Sequence, residues 1–380
     1  MKRFWSLLGI LLVCFYGGAG GATDPQIEAL LQKISQDSLE TTVRRMVAFE
    51  TRFMGSDSNA AATVWLKDRM EGLGYEVRFD TFSVNVVRRV QGQQFSIRDL
   101  QQWNVIATRP GRLFPDKKIV VGGHYDSISL DRAPDAQDVA PGADDNASGI
   151  AGLVEIGRIL RDVPLDVTVE IVFFGAEELG LVGSMHYADA ARTRGDEILL
   201  MFQLDVIGNR SASFPNGFTI DTSSAFVTEG EALAQAAVDY TAIRAFHSGT
   251  SGVQVTNRGC GCSDHQSFID RGYPALGVFQ YFQNPASHIN MSFDTLDKVD
   301  YALAAEITRA TLAAGIQVAG FPSTSPDFDG DGLVAFSDFL LFSGAFRLSE
   351  GMEEFDLDRD GLVGFSDFLI FAANFGRRFE

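Results

Sequence analysis

The chain has 380 residues, enough for one large domain and a small one, and its 46% apolar content supports a sizeable core. A formal net charge of -19 argues against a nucleic acid or an anionic membrane as partner, because both need clustered lysine and arginine.

The first 22 residues read as a signal peptide. Lys2 and Arg3 supply the charged start, Leu7–Tyr16 the apolar core, and the small residues from Gly17 to Ala22 a cleavage site before Thr23. The apolar run is too short to span a bilayer stably, and no later segment of the sequence reads as transmembrane. The expectation is a secreted protein, extracellular or periplasmic, with surface tethering as an option. Val13 is larger than a lipoprotein site prefers, which counts against lipidation of Cys14. Cys260 and Cys262 are then left in an oxidising compartment, and a strained Cys-x-Cys bridge and two free thiols both fit.

Residues 27–75 read mostly helical, with Val64, Leu66, Met70 and Leu73 roughly at helical spacing and Gly72 and Gly74 ending the run. Tyr75–Val87 alternates like a strand, and residues 103–109 and 118–122 read as further strands. Ala147–Leu160 reads as a helix with Ile150, Leu153, Val154 and Gly157 along one side. Strand and helix then alternate to about residue 316. The fold class expected is α/β, a mostly parallel central sheet flanked by helices over residues 23–320.

Several chemical side chains follow apolar strands directly. Ile119–Gly122 leads into His124 and Asp126, Val167–Phe174 into Glu177 and Glu178, and Ile198–Leu204 into Asp205. Asp144 and Asp145 lie in a Gly-Ala-Asp-Asp-Asn-Ala-Ser-Gly stretch that opens the helix. Open α/β sheets place their sites outside the carboxyl ends of the strands, so His124, Asp145, Glu178 and Asp205 should converge. One imidazole among several carboxylates points to a hydrolytic metal site. Of two adjacent glutamates, one can bind metal while the other stays free as a base. Asp126, two residues beyond His124, is placed to fix the tautomer of the imidazole.

Residues 321–326, Phe-Pro-Ser-Thr-Ser-Pro, read as a linker. A repeat follows, its copies beginning 29 residues apart at Asp327 and Asp356. Each has the spacing of a calcium loop: acids at positions 1, 3 and 5, glycine at 6, a backbone carbonyl at 7 and an acid at 12. The candidate ligands are Asp327, Asp329, Asp331, Leu333 and Asp338, then Asp356, Asp358, Asp360, Leu362 and Asp367. A Phe-rich helical run follows each loop, Phe339–Phe346 and Phe368–Phe375. Residues 327–380 are thus expected to form a small all-α module with two EF-hand-like loops and two calcium ions.

Taken together, Gly-Gly-His124-Tyr-Asp126-Ser, Gly-Ala-Asp-Asp145-Asn-Ala-Ser-Gly, Glu177-Glu178-Leu-Gly-Leu-Val-Gly-Ser, Gln-Leu-Asp205, Ser-Asp264-His265 and Asn284-Pro285-Ala286-Ser287-His288 resemble the secreted two-zinc aminopeptidases of the bacterial leucyl aminopeptidase type. The resemblance covers roughly residues 40–316. It implies hydrolysis of N-terminal residues from peptides by water activated between two zinc ions. Asp145 would bridge the two, His124 and Asp205 would complete one, Glu178 and His288 the other, and Glu177 would be the general base. His265 would stand behind the ligands. In the family the last histidine is commonly followed four residues later by Asp-Thr, whereas here Asp294 comes six residues after His288 and four after Asn290. The reading taken is a two-residue insertion after His288. His186 and His247 read as structural. The C-terminal repeat resembles a dockerin-like calcium module, which implies a cohesin-like or cell-surface docking partner.

Two other readings compete. A glutaminyl cyclase, a single-zinc transferase on a related fold, would need no bridging carboxylate. An inactive, calcium-dependent adhesion protein becomes attractive if Asn290 occupies the register of the missing histidine.

Overall fold

The computed structural model describes residues 23–90, 92–131, 138–245, 253–255, 262–281, 286–321, 326–348, 352, 354–357 and 362–378. The segment read as a signal peptide lies outside them.

Three helices begin the described chain, α1 (Pro25–Leu31), α2 (Gln36–Val47) and α3 (Asp57–Glu71). Each starts at a short polar residue whose side chain accepts a first-turn N–H: Asp24 from Gln26, Ser35 from Ser38, Ser56 from Asn59. The sheet contains β1 (Glu76–Val90), β2 (Gln93–Arg109), β3 (Phe114–His124), β4 (Val167–Phe174), β5 (Glu197–Leu204), β6 (Gly217–Thr222), β7 (Arg244–Ala245), β8 (Gln254–Val255) and β9 (Ala275–Gln280). The strand order is β1-β2-β4-β3-β5-β9-β6-β7, with β8 beside β6. The centre β4-β3-β5-β9 is parallel, while β1/β2, β2/β4 and β6/β9 pair antiparallel. The sheet is therefore mixed: its centre is parallel, and the short strands β7 and β8 also run parallel to β6 at the edge.

The largest departure from the sequence reading is the length of the β1–β2 hairpin. Only Val105–Arg109 of β2 reach β4, so Gln93–Leu100 pair with β1 alone. That arm is packed on one side, and its glutamines obscure the alternation that would have revealed a strand.

Helix α4 (Ala147–Leu160) matches its expected bounds, but nearly all its residues are buried rather than one side. It packs against β3 and β5 and also against α2 and α8 (Tyr301–Ala319). A helix covered on several sides is apolar nearly all round. The remaining helices of this domain are α5 (Val182–Arg194), α6 (Val227–Tyr240) and α7 (His265–Ile269). Among the described residues no helix is long and apolar enough to cross a membrane. Cys262 is disulfide-bonded, and Cys260 lies outside the described residues.

Helices α9 (Phe336–Ala345) and α10 (Phe365–Asn374) start three residues earlier than expected. The acid ending each loop sits in the first turn, where Asp338 accepts from the Ala335 N–H and Asp367 from the Gly364 N–H. The helices pair over a small core of their own, in which the Phe328, Phe342 and Phe371 rings cluster, each near-parallel to the other two, and Val334, Phe355, Leu357 and Val363 are buried.

Candidate active site

The carboxyl ends of β3, β4 and β5 and the start of α4 meet at one point. His124 closes β3, and its Nε2 lies 3.2 Å from Asp145 Oδ1 and 3.3 Å from Asp205 Oδ1. His124, Asp145 and Glu178 present ligand atoms within 4.8 Å of one another. Gly123 permits the close approach of the elements, since a Cβ there would meet the Leu204 carbonyl at 2.5 Å and Asn146 Nδ2 at 3.1 Å. Asn146 ties the same ends together. Its Nδ2 donates to the carbonyls of His124 and Leu204, and its Oδ1 accepts from the Val206 and Gly149 N–H groups.

The imidazole is oriented by main chain. His124 Nδ1 lies 3.1 Å from the Asp126 carbonyl, which can only accept, so Nδ1 carries the proton and Nε2 faces the carboxylates. The Asp126 carboxylate is farther away, at 3.7 Å, and has another task. Its two oxygens accept from the N–H groups of Glu177 and Glu178, at 3.0 and 3.2 Å. Asp126 therefore clamps the turn bearing both glutamates, and the tautomer is set by its backbone rather than its side chain. The turn begins at Ala176, whose φ of +60° breaks the strand direction.

Asp205 is held from behind. Ser263 Oγ donates to Asp205 Oδ2 at 2.6 Å, and Gln203 Nε2 donates to the same oxygen at 3.2 Å. His265 is buried with Nδ1 2.9 Å from Gln203 Oε1 and Nε2 2.9 Å from Asp221 Oδ2. It touches Gln203, which in turn donates to Asp205, and does not itself reach the cluster. Asp144 is the structural partner of Asp145: Oδ1 accepts from the Gly208 N–H, and Oδ2 from Gln280 Nε2.

The fifth expected ligand is corrected here. His288 points elsewhere, with Nε2 2.9 Å from Asp144 Oδ2 and 4.0 Å from Asp294 Oδ1. The amide of Asn290, its nitrogen turned towards Glu178, lies 2.9 Å from both carboxylate oxygens. Asp294 anchors this register by accepting from the N–H groups of Asp144 and Asp145. The chain thus follows the Asn290 spacing, and the insertion after His288 is absent.

Sequence reasoning missed Arg52, which carries no motif. It is fully buried and donates to the carbonyls of Tyr125, Met46, Pro141 and Gly142. Burial lowers its pKa to about 10, against the pull of Asp294, Asp126, Asp145 and Glu178, so it stays charged at neutral pH.

Burial, then the charges of Asp145 and Glu177, pushes Glu178 well up. Burial also raises Glu177 well above the usual carboxylate range; His124 opposes this, and Asp264, Asp205 and Asp126 add to it. Burial would lower His124, but Glu177 and Asp205 hold it well above its ordinary value. So many buried carboxylates around one imidazole call for a cation. Zinc bonds of about 2.0–2.2 Å in tetrahedral array set neighbouring ligands roughly 3.3 Å apart. The His124–Asp145 and His124–Asp205 separations match that edge.

The pattern of peptidase family M28 matches residues 104–315, more than half of the chain. The chain belongs to that family. It is a peptidase, hence a hydrolase. The M28 match spans His124, Asp145, Glu177, Glu178, Asp205 and Asn290 alike. The chain is 28% identical over 306 residues to leucine aminopeptidase 1 of Coccidioides posadasii, covering 77% of this chain and 74% of that one. It is 27% identical over 301 residues to the probable aminopeptidase YDR415C of Saccharomyces cerevisiae, at 77% and 75% coverage. Its fold is similar to LapA of Legionella pneumophila, with a TM-score of 0.61, 21% identity and coverage of 77% and 76%. It is also similar to BSAP, a zinc aminopeptidase from Bacillus subtilis, with a TM-score of 0.59, 16% identity and coverage of 76% and 98%.

In the C-terminal module, Asp327, Asp329 and Asp338 present oxygens within 4.8 Å of one another. Asp327 and Asp329 accept from the Asp331 N–H, and Asp338 from those of Phe328 and Asp329. Leu333 N–H donates to Asp331 Oδ1. Of the second loop, Asp356, Leu362 and Asp367 are described, whereas Asp358 and Asp360 lie outside the described residues.

Proposed function

We propose that this M28 peptidase is a secreted zinc aminopeptidase that removes N-terminal residues from peptides, with Glu177 as general base. The observation that carries the reading is the seat formed by His124 Nε2, Asp145 Oδ1 and Asp205 Oδ1 beside a glutamate that none of them needs as a ligand. His124, Asp145 and Asp205 would hold zinc, with Glu178 facing a second ion across Asp145. Zinc would supply Lewis-acid polarisation of the scissile carbonyl and acidification of water. Glu177, fixed by its N–H on Asp126, takes a proton from water and returns it to the departing amine. With Asp145, Asp205 and Glu178 neutralised by the ions they would hold, the carboxylates left over, Glu177 and Asp126, favour a substrate's free ammonium end over a free carboxylate. The names of the relatives agree with that choice.

The test is a panel of aminoacyl-anilides assayed with and without chelator. Chelator-sensitive release of the anilide supports the reading. Pyroglutamate formation from an N-terminal Gln peptide, without anilide release, would select the cyclase instead. The inactive adhesion reading gains from Asn290 in the register of the missing histidine, but the complete His124–Asp145–Asp205 seat weighs against it. The C-terminal module is proposed to bind two calcium ions and to dock the enzyme to a cohesin-like or cell-surface partner.

A further inference from the structure

Chemistry at the two sides of Asp145 differs. On one side stand an imidazole nitrogen and the Asp205 carboxylate. On the other stand Glu178 and the Asn290 amide, 2.9 Å apart. Of the five histidines in the sequence, only His124 reaches the cluster among those described. His288 is buried against Asp144, at 2.9 Å. His265 has its ring nitrogens against Gln203 and Asp221. His186 lies 3.3 Å from Asp80 and stacks on Phe82. His247 lies outside the described residues.

We propose that the metal centre is unequal: His124, Asp145 and Asp205 retain zinc tightly, whereas the all-oxygen position of Asp145, Glu178 and Asn290 binds its divalent ion weakly and exchangeably. This rests on the zinc-peptidase reading above.

Two physical arguments support the inequality. Zinc sites draw on imidazole or thiolate donors, whereas carboxylate and carbonyl oxygens suit harder ions such as magnesium, calcium and manganese. In addition, an Asn290 amide assigned with its nitrogen to Glu178 donates two hydrogen bonds to that carboxylate, which a cation taking the amide oxygen has to replace. The backbone at position 290 has a φ of +59°, a conformation in which Asn and His are both enriched, and its carbonyl accepts from the Leu130 N–H. A histidine can therefore occupy this site without new backbone strain.

The test uses the full chain loaded with zinc, desalted into metal-free buffer, and counted by elemental analysis and calorimetry. Wild type should retain one zinc and bind a second at least ~100-fold more weakly, beyond the ~10–100-fold cost of losing an outer hydrogen-bonding partner. Asn290→His should retain one more zinc than wild type; both proteins share the C-terminal loops, so the difference reports this position. His288→Ala should match wild type in metal count. Two tightly retained zinc ions in a wild type that hydrolyses anilides would overturn the inequality alone. So would an Asn290→His protein whose count and second affinity are unchanged. A wild type that retains no zinc would overturn the inequality and the zinc-peptidase reading beneath it.

Discussion

The Arg52 guanidinium donates to the Gly142 carbonyl at 2.9 Å, so the segment between α2 and α3 holds the loop that delivers Asp145 to the site. Gly142 has a φ of +48°, and a Cβ there would lie 2.8 Å from Arg52 Nη2. Replacing Arg52 with methionine leaves the buried carbonyls of Tyr125 and Pro141 without their donor, whereas those of Met46 and Gly142 keep the N–H groups of Phe49 and Ala147. At about 1–3 kcal/mol for each of the two buried groups left unpaired, a loss of at least ~2 kcal/mol is expected in urea denaturation. A change below ~1 kcal/mol would show that water or neighbouring groups replace the guanidinium.

Glu177→Gln preserves size and the N–H bond to Asp126 but removes the base. Turnover should fall by at least ~100-fold while zinc content is unchanged. Near-normal turnover in a fully metallated variant would reassign the proton transfer.

Glu155 gives a pH prediction away from the metal cluster. Burial alone would raise this carboxyl, but hydrogen bonds from Arg158, Ser38 and the Ser35 N–H lower it below its usual value. Its folded pKa therefore lies below the unfolded value of about 4.3, so its contribution is complete above that pH and fades as pH falls through the folded value. The stability gap between wild type and Glu155→Gln should be constant from pH 6 to 8 (~1–3 kcal/mol, the range for a disrupted buried hydrogen bond) and should narrow below about pH 4. A gap that widened with acid would reverse the sign assigned to this group.

Asp327→Asn tests the first calcium loop, because Asp327 converges with Asp329 and Asp338 and also accepts from the Gly332 N–H. Calorimetry on the full chain, with zinc in excess to fill the catalytic site, should count one calcium ion fewer in the variant than in wild type. Peptidase activity should be unaffected. Identical calcium uptake by both proteins would remove Asp327 from the ligand set.

Much of the site could be read before folding was considered, because it depends on local order. An apolar run that ends at a polar residue marks a strand terminus, and the parallel centre of the sheet brings such termini together. His124, Glu178 and Asp205 were legible for that reason, as was Asp145 at the start of α4. The position-12 acids were legible as loop residues, but their place in the first turns of α9 and α10 was not, since a helix start depends on the cap it finds.

Other features depend on how separate segments pack. Arg52 belongs to no motif, and its importance comes from carbonyls drawn from three parts of the chain. The same is true of Asp126, whose carboxylate serves the turn after β4 rather than the neighbouring imidazole. The sequence by itself determined that metal-type donors gather at the ends of the central strands. Whether His288 or Asn290 joins them was decided in three dimensions, where Asp294 caps the Asp144–Asp145 loop, His288 turns to Asp144, and Asn290 is left facing Glu178. Spacing along the chain cannot make that choice, because residues in a turn reach different walls of the site according to which neighbour anchors the turn.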